Sequence, residues 1–356
     1  MKPTLPPRDN RVILAPHVVL LGAGASIAAY REWGSTGPAL PSMQNLIDIL
    51  DLRNEIKCHG YDVDDLNFES FYDDLAATGS QEKLRNLIEH RVLDYFSRLK
   101  LPDKPTIYDY LVLSLRQKDV KATFNWDPFL LQAFMRNEVA TQVHRPQILF
   151  LHGNVLVGVC YKDETAGITG RRCSKCRKSF EPTKLLYPVK HKDYTSDPFI
   201  NSQWDALRMY LKRGYYLTVF GYSAPKTDVE AIRLMLEVWT ANSYQKLCEV
   251  EIIDTKPQRE VEENWSEFFY KHHYMVTSNI WNSELFRYPR RSCDAFFSAS
   301  LMVDPWDDNP FPKFTSLDEL QSWVRPLIEE EEAYETNQTP FSGKPLLPNI
   351  PSAPLT

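Results

Sequence analysis

The sequence predicts an α/β fold: a doubly wound, mostly parallel sheet carrying a helical insertion and a small cysteine-bearing insertion. Three observations predict it. An apolar run, Val18-Val19-Leu20-Leu21, feeds straight into Gly22-Ala23-Gly24-Ala25-Ser26, and Ile27-Ala28-Ala29-Tyr30 can continue as a helix. From Val120 onward, apolar runs of strand length alternate with stretches of helical spacing, the pattern by which crossover connections build a parallel sheet. The polar residues able to do chemistry fall where the runs end: Asn125 and Asp127 after 120–124, His152 after 147–151, Gly221 and Ser223 after 216–220, and Asp254 closing 250–254. In an open α/β sheet, ligands bind beyond the carboxyl ends of the strands.

Taken in order, residues 1–10 are proline-rich and polar and read as a loose arm, and strand and glycine turn occupy about 11–26. Glycines let the chain turn tightly and approach a bound group, and a helix start offers unpaired N–H donors at the positive end of a dipole. That setting suits a pyrophosphate, so Gly22, Ala23, Gly24 and Ser26 are candidate cofactor contacts through backbone N–H groups and one hydroxyl. An ordinary glycine turn of an α/β protein fits the same residues. Residues 42–118 read as a helical insertion, with Leu46, Ile49 and Leu50 on one face and Leu84, Leu87, Ile88, Val92, Leu93 and Phe96 on a longer one; core packing accounts for both stripes. Asp127-Pro128 reads as an N-cap with proline in the first helical position. Residues 155–190 hold the cysteine-bearing insertion, helical faces recur near 203–213, 228–240 and 257–272, and one domain of this kind spans 11–300. In the remaining 301–356, residues 316–334 form an acidic amphipathic helix and 337–356 are proline-rich without periodicity, a tail that stays disordered or drapes on a partner.

Composition narrows the class. A chain of 356 residues with 43% hydrophobic and 25% charged residues can bury a large core and reads as soluble and globular. The formal net charge of −6 argues against bulk electrostatic binding to nucleic acid. No apolar run reaches the length of a membrane span and the first residues do not read as a signal peptide, so the expected location is the cytoplasm. There, 6 cysteines read as reduced thiols, some of them on metal, rather than as a disulfide scaffold.

The order of motifs resembles the sirtuin family, the NAD-consuming proteins named for silent information regulator two. That family runs Gly-Ala-Gly-x-Ser, Thr-x-Asn-x-Asp, His-Gly, a cysteine-bearing insertion and Gly-x-Ser. This chain has Gly22-Ala23-Gly24-Ala25-Ser26, Thr123-Phe124-Asn125-Trp126-Asp127, His152-Gly153, Cys173-x-x-Cys176 and Gly221-Tyr222-Ser223, and the likeness covers about 15–280. It departs where protein-deacylating members grip their acyl-peptide. The Gly-Ile-Pro-Asp-Phe-Arg loop, the Phe-Gly-Glu segment and the valine-proline segment are replaced at 30–38, 185–190 and 224–228. The cofactor side is kept and the peptide side is not, as in the sirtuin-like NAD hydrolases of prokaryotic anti-phage defence.

The resemblance implies a Rossmann-like domain that cleaves NAD+ to nicotinamide and ADP-ribose. The leaving group already carries positive charge, so the site has to exclude stray water, hold the ribose and place one nucleophile. Asn125 is expected to position the attacking water or a ribose hydroxyl, and His152 to act as general base, since imidazole takes a proton near neutral pH. Asp127 either caps its helix or serves the site, or both. Gly221 and Ser223 resemble a second phosphate or ribose contact, though a plain strand-to-helix turn also fits. Asp228 reads as a helix cap. Asp254 fits either the adenosine ribose hydroxyls or an Asx turn. Cys173 and Cys176 form half of a zinc knuckle; Cys160 and His191 are the residues that can complete it, and a remnant ribbon without metal fits as well. Expected partners are NAD+ and further copies of the chain, a defence-system protein such as an ATPase, or both, with no nucleic acid and no membrane. Two rivals stay open, an NAD-dependent protein deacylase and a sensor that binds NAD or ADP-ribose without turnover.

Overall fold

A computed structural model describes residues 15–31, 40–64, 66–79, 81–137, 145–189, 192–223, 228–242, 244 and 246–336. The arm at 1–10, His191, most of 30–38, residues 224–227 and the tail from 337 lie outside them. The chain opens with β1 (His17–Leu21), turns at Gly22 and enters α1 (Ala23–Arg31). The insertion follows as two short helical turns and then α2 (Phe68–Thr78), α3 (Glu82–Ser97) and α4 (Ile107–Leu113). Next come β2 (Val120–Thr123), α5 (Phe129–Arg136) and β3 (Gln147–Phe150). A small second sheet, β4 (Val157–Cys160), β5 (Thr165–Ile168) and β6 (Glu181–Pro182), interrupts the alternation. It resumes with α6 (Pro198–Arg213), β7 (Tyr216–Phe220), α7 (Val229–Thr240), β8 (Glu249–Ile253), α8 (Gln258–Trp265) and β9 (Tyr274–Thr277). Helices α9 (Ser292–Leu301) and α10 (Leu317–Thr336) complete the described chain.

The main sheet runs β3-β2-β1-β7-β8-β9, and each neighbouring pair is parallel. Counting only these strands in chain order gives 3-2-1-4-5-6, the doubly wound Rossmann order. A parallel sheet needs cover on both faces, and β1 is buried at all of its positions. Val19 and Leu21 pack into the core beneath the helical insertion, while Val18 and Leu20 pack into the core beneath α6, α7 and α8. The strand period of two thus divides one apolar run between two layers. The sequence expectation of a helix over 257–272 is met only in part. The helix α8 stops at Trp265, a 3-10 turn covers Ser266–Phe268, and the half-buried β9 follows.

Capping explains where several elements stop. Asn67 accepts from the N–H groups of Glu69 and Ser70 at the start of α2, and Gly79 ends it in the left-handed conformation. Thr106 and Asp109 form a capping box on α4, a helix buried along its whole length. The acidic helix α10 is bound into the fold. Leu320, Val324 and Ile328 enter the core shared with the insertion, and Glu331 pairs with Arg290 at 2.6 Å and with Arg291. These partners hold the Glu331 carboxyl down to about 2 in spite of its burial. Among the described residues no helix is long and apolar enough to cross a membrane.

The sheet reverses winding direction between β1 and β7, and there the backbone is drawn tight. Gly22 N–H donates to Phe220 O at 3.0 Å and Gly24 N–H to Gly221 O at 2.9 Å. A Cβ on Gly22 would lie 2.5 Å from Gly221 O, and one on Gly221, whose φ is +63°, would lie 2.3 Å from Ala25 N. Both turns therefore need bare backbone, and Gly221 also needs a left-handed conformation. Gly221→Ala is expected to cost roughly 3 kcal/mol, the left-handed penalty plus the overlap, and to lower the melting temperature by about 4 °C. Gly170, at φ +80° with nothing within 4 Å of where a Cβ would stand, should lose only about 1 kcal/mol as Gly170→Ala. Equal melting temperatures for the two variants would contradict this account of the turn.

Candidate active site

A cleft of about 350 Å³ opens at the carboxyl ends of the strands, over the point where β1 and β7 diverge. Its floor is a buried polar knot. Ser26, one turn into α1, donates its hydroxyl proton to Asp127 Oδ2 at 2.6 Å. With that proton committed, Tyr108 OH must be the donor in its 2.7 Å contact with Ser26 Oγ, and Asn125 Nδ2 fills the other lone pair at 2.8 Å. Asn125 Nδ2 also donates to Gly22 O at 2.7 Å. A carbonyl only accepts, so the amide orientation is set: nitrogen inward. Asn125 Oδ1 is left with no protein partner among the described residues, on a side chain that lines the cleft.

Asp127 serves both its helix and the knot. Its Oδ1 accepts from Phe129 N–H at 3.1 Å at the start of α5, and its backbone carbonyl accepts from Asn154 Nδ2 at 2.6 Å. Burial raises the Asp127 carboxyl to about 6, against the lowering effect of Ser26 and the Phe129 N–H.

His152 stands at the end of β3, buried, on the same cleft. Its Nε2 lies 3.4 Å from Tyr194 OH, and Phe124 meets its ring edge-on at 5.0 Å. Gly153 turns away at φ +76°, tight against Lys184 O, and His152 O accepts from Leu186 N–H at 3.0 Å. The strand end and the segment that follows the cysteine insertion therefore hold the histidine together. Burial lowers its imidazole to about 4; Asp228 acts upward and Lys192 downward. At neutral pH it is unprotonated and able to take a proton.

The remaining expected contacts divide. Ala23 is exposed at the first position of α1 and lines the cleft, as do Gly22, Gly221 and Ser223. Gly24 does not line it, and its N–H is taken by Gly221 O. Asp254 sits at the end of β8, away from the cleft lining, with Oδ1 accepting from Lys256 N–H at 3.0 Å in an Asx turn. Asp228 stands where a cap for α7 belongs but makes no side-chain cap. Its carboxylate pairs instead with buried Lys192 and accepts from Tyr222 OH at 3.0 Å. Tyr108, Tyr194 and Lys192 were not legible as site residues, because each comes from a segment with no motif of its own.

The small sheet gathers Cys160, Cys173, Cys176 and Asp163, whose ligand atoms all lie within 4.8 Å of one another. Cys160 Sγ is 3.5 Å from Cys176 Sγ, and Asp163 Oδ2 is 3.1 Å from Cys173 Sγ and 3.4 Å from Cys160 Sγ. Ligands about 2.3 Å from a tetrahedral ion sit about 3.8 Å from one another, so the four fit one metal. Asp163 was missed, although Cys160-Tyr161-Lys162-Asp163 repeats the spacing of Cys173-Ser174-Lys175-Cys176.

No family model matches the chain, and no curated protein matches it. Solved structures it is similar to include Sir2 homologues. A Sir2 homologue in complex with NAD is 13% identical, with a TM-score of 0.40 over 81% of this chain and 92% of that one. A Sir2 enzyme described for mechanism and regulation is 12% identical (TM-score 0.37, 82% and 96% covered). A Sir2 bound to acetylated peptide is 16% identical (0.36, 79% and 94%).

The cysteine geometry predicts that the purified chain carries close to one divalent metal ion, measured by elemental analysis. Cys173→Ser or Asp163→Ala should lower that content and the melting temperature. A metal-free chain whose melting is unmoved by chelator would contradict it.

Proposed function

We propose that the switch-point cleft binds NAD+ and that the chain hydrolyses it to nicotinamide and ADP-ribose. One observation carries the reading: an unprotonated, buried imidazole and an amide oxygen held free by its own hydrogen bonds share one cleft at the sheet's switch point. The N–H groups of Gly24, Ala25 and Gly221 are already taken, so the cleft mouth offers exposed Ala23 at the start of α1 and Ser223 of the turn after β7 to the phosphates. Asn125 Oδ1 accepts from a ribose hydroxyl or the attacking water, and Gly22 and Ser26 keep its amide from turning. His152 takes the proton released as water adds to the ribose carbon and the bond to the nicotinamide nitrogen breaks. Because that leaving group departs as a neutral ring, no acid is needed on its side. Asp127 acts through Ser26 and through the start of α5, so it is a positioning residue in this scheme.

We further infer that zinc is the ion of the cysteine site, with Cys160, Asp163, Cys173 and Cys176 as ligands. A closed set of four ligands suits a structural ion that ties β4 to the knuckle. The sequence departures on the peptide side favour a hydrolase over a deacylase. Anti-phage defence in the cytoplasm, with activation through assembly or an ATPase partner, completes the proposal, and its defence role comes from the sequence resemblance.

The experiment is nicotinamide release from NAD+ by the purified chain, with and without an acetyl-lysine peptide. Release is expected without peptide. Asn125→Ala and His152→Ala should each melt near the wild-type temperature and lose activity by a factor of about 100 or more. Full activity in both folded variants would overturn the assignment, and release only with peptide would select the deacylase.

A further inference from the structure

Among the described residues lining the cleft, Lys192 is the only lysine or arginine, whereas Glu69, Asp127 and Asp228 bring carboxylates. That lysine is committed. Its ammonium pairs with Asp228 Oδ1, both side chains nearly buried, and Asp228 Oδ2 accepts from Tyr222 OH at 3.0 Å. Tyr222 stacks on Phe124 at 4.1 Å, and Phe124 in turn abuts His152. The ionisable groups around the imidazole are therefore Lys192 and Asp228, whose charges act on it, and Tyr194, whose hydroxyl lies 3.4 Å from Nε2, with Tyr222 bound to Asp228 and Asp127 of the same cleft occupied by Ser26 and Phe129 N–H.

We propose that Lys192 and Asp228 are a positioning pair for His152, Asp228 stabilising the imidazolium and Lys192 opposing it, and that an anionic ligand drawing Lys192 to itself leaves Asp228 to His152. An ammonium can be neutralised by one carboxylate or shared with a second anion. When a pyrophosphate takes part of that charge, the carboxylate's field falls more fully on the imidazole. The empty cleft then holds a weak base and the filled cleft a stronger one. The opposing influences of the two groups on His152 agree in sign with this arrangement. Only the ligand half of the proposal rests on reading the cleft as a nucleotide site.

The test is an NMR titration of the labelled full chain, with His152 picked out among 8 histidines by the signal lost in His152→Gln. In the free protein, Lys192→Met should raise the His152 midpoint by about one pH unit and Asp228→Asn should lower it, as expected for charged groups lining the same cleft. In the wild type, saturating ADP-ribose should raise the midpoint by a similar amount, and in Lys192→Met it should not. A Lys192→Met midpoint equal to that of the wild type would overturn the pair's role, whatever binds. If that variant fails to fold, the wild-type arm decides, and bound ADP-ribose with an unmoved midpoint would overturn it. ADP-ribose that does not bind would reject the nucleotide reading and the ligand half with it, while the free-protein midpoints still decide the pair.

Discussion

Everything in the candidate site hangs on the clasp between the turn after β1 and the turn after β7. Two hydrogen bonds, Gly22 N–H to Phe220 O and Gly24 N–H to Gly221 O, hold the backbones so near that no Cβ fits at Gly22, Gly24 or Gly221. The clasp sets where α1 begins, and α1 carries Ser26 into the knot with Asp127, Tyr108 and Asn125. Gly22 O is also the acceptor that fixes the Asn125 amide. Close backbone packing at the switch point thus becomes side-chain orientation in the cleft.

The electrostatics of the cleft follow from what the fold buries. Carboxylates outnumber ammonium groups there among the described residues, an unusual balance for the pyrophosphate site proposed above. Backbone donors at a helix start and a strand-end turn are the means of binding a phosphate without free cations. They also explain why the glycines matter twice, once for packing and once for access. The same low-dielectric surroundings keep His152 unprotonated and hold Asp127 near 6, so small changes in nearby charge carry large consequences for both.

Much of this was legible in the sequence because parallel strands bury both faces and read as plain apolar runs. The strand ends that carry Asn125, His152, Gly221 and Asp254 stood out for that reason. The half-buried β9, without an apolar run of its own, did not. Motif reading found Asn125, Asp127 and His152 but not the groups that orient them. Tyr108 sits in a helix whose every residue is buried, where a tyrosine reads as core. Lys192 lies in a segment with no periodicity, and a buried lysine is recognisable only once its carboxylate partner is placed. The Asp228 cap failed because Lys192 and Tyr222 take its two carboxylate oxygens, and an ammonium is a stronger partner than a backbone N–H. At the cysteine site the spacing of three thiols left two readings, and the fold brought a fourth candidate, Asp163, beside them.

The central claim is that the switch-point cleft receives a dinucleotide with its ribose against Asn125. A crystal structure of the His152→Ala chain soaked with NAD+ tests it most directly. The account predicts the pyrophosphate beside Ala23 and Gly221 and a ribose hydroxyl within hydrogen-bond distance of Asn125 Oδ1. NAD+ bound elsewhere, or in the cleft with the ribose remote from Asn125, would contradict it.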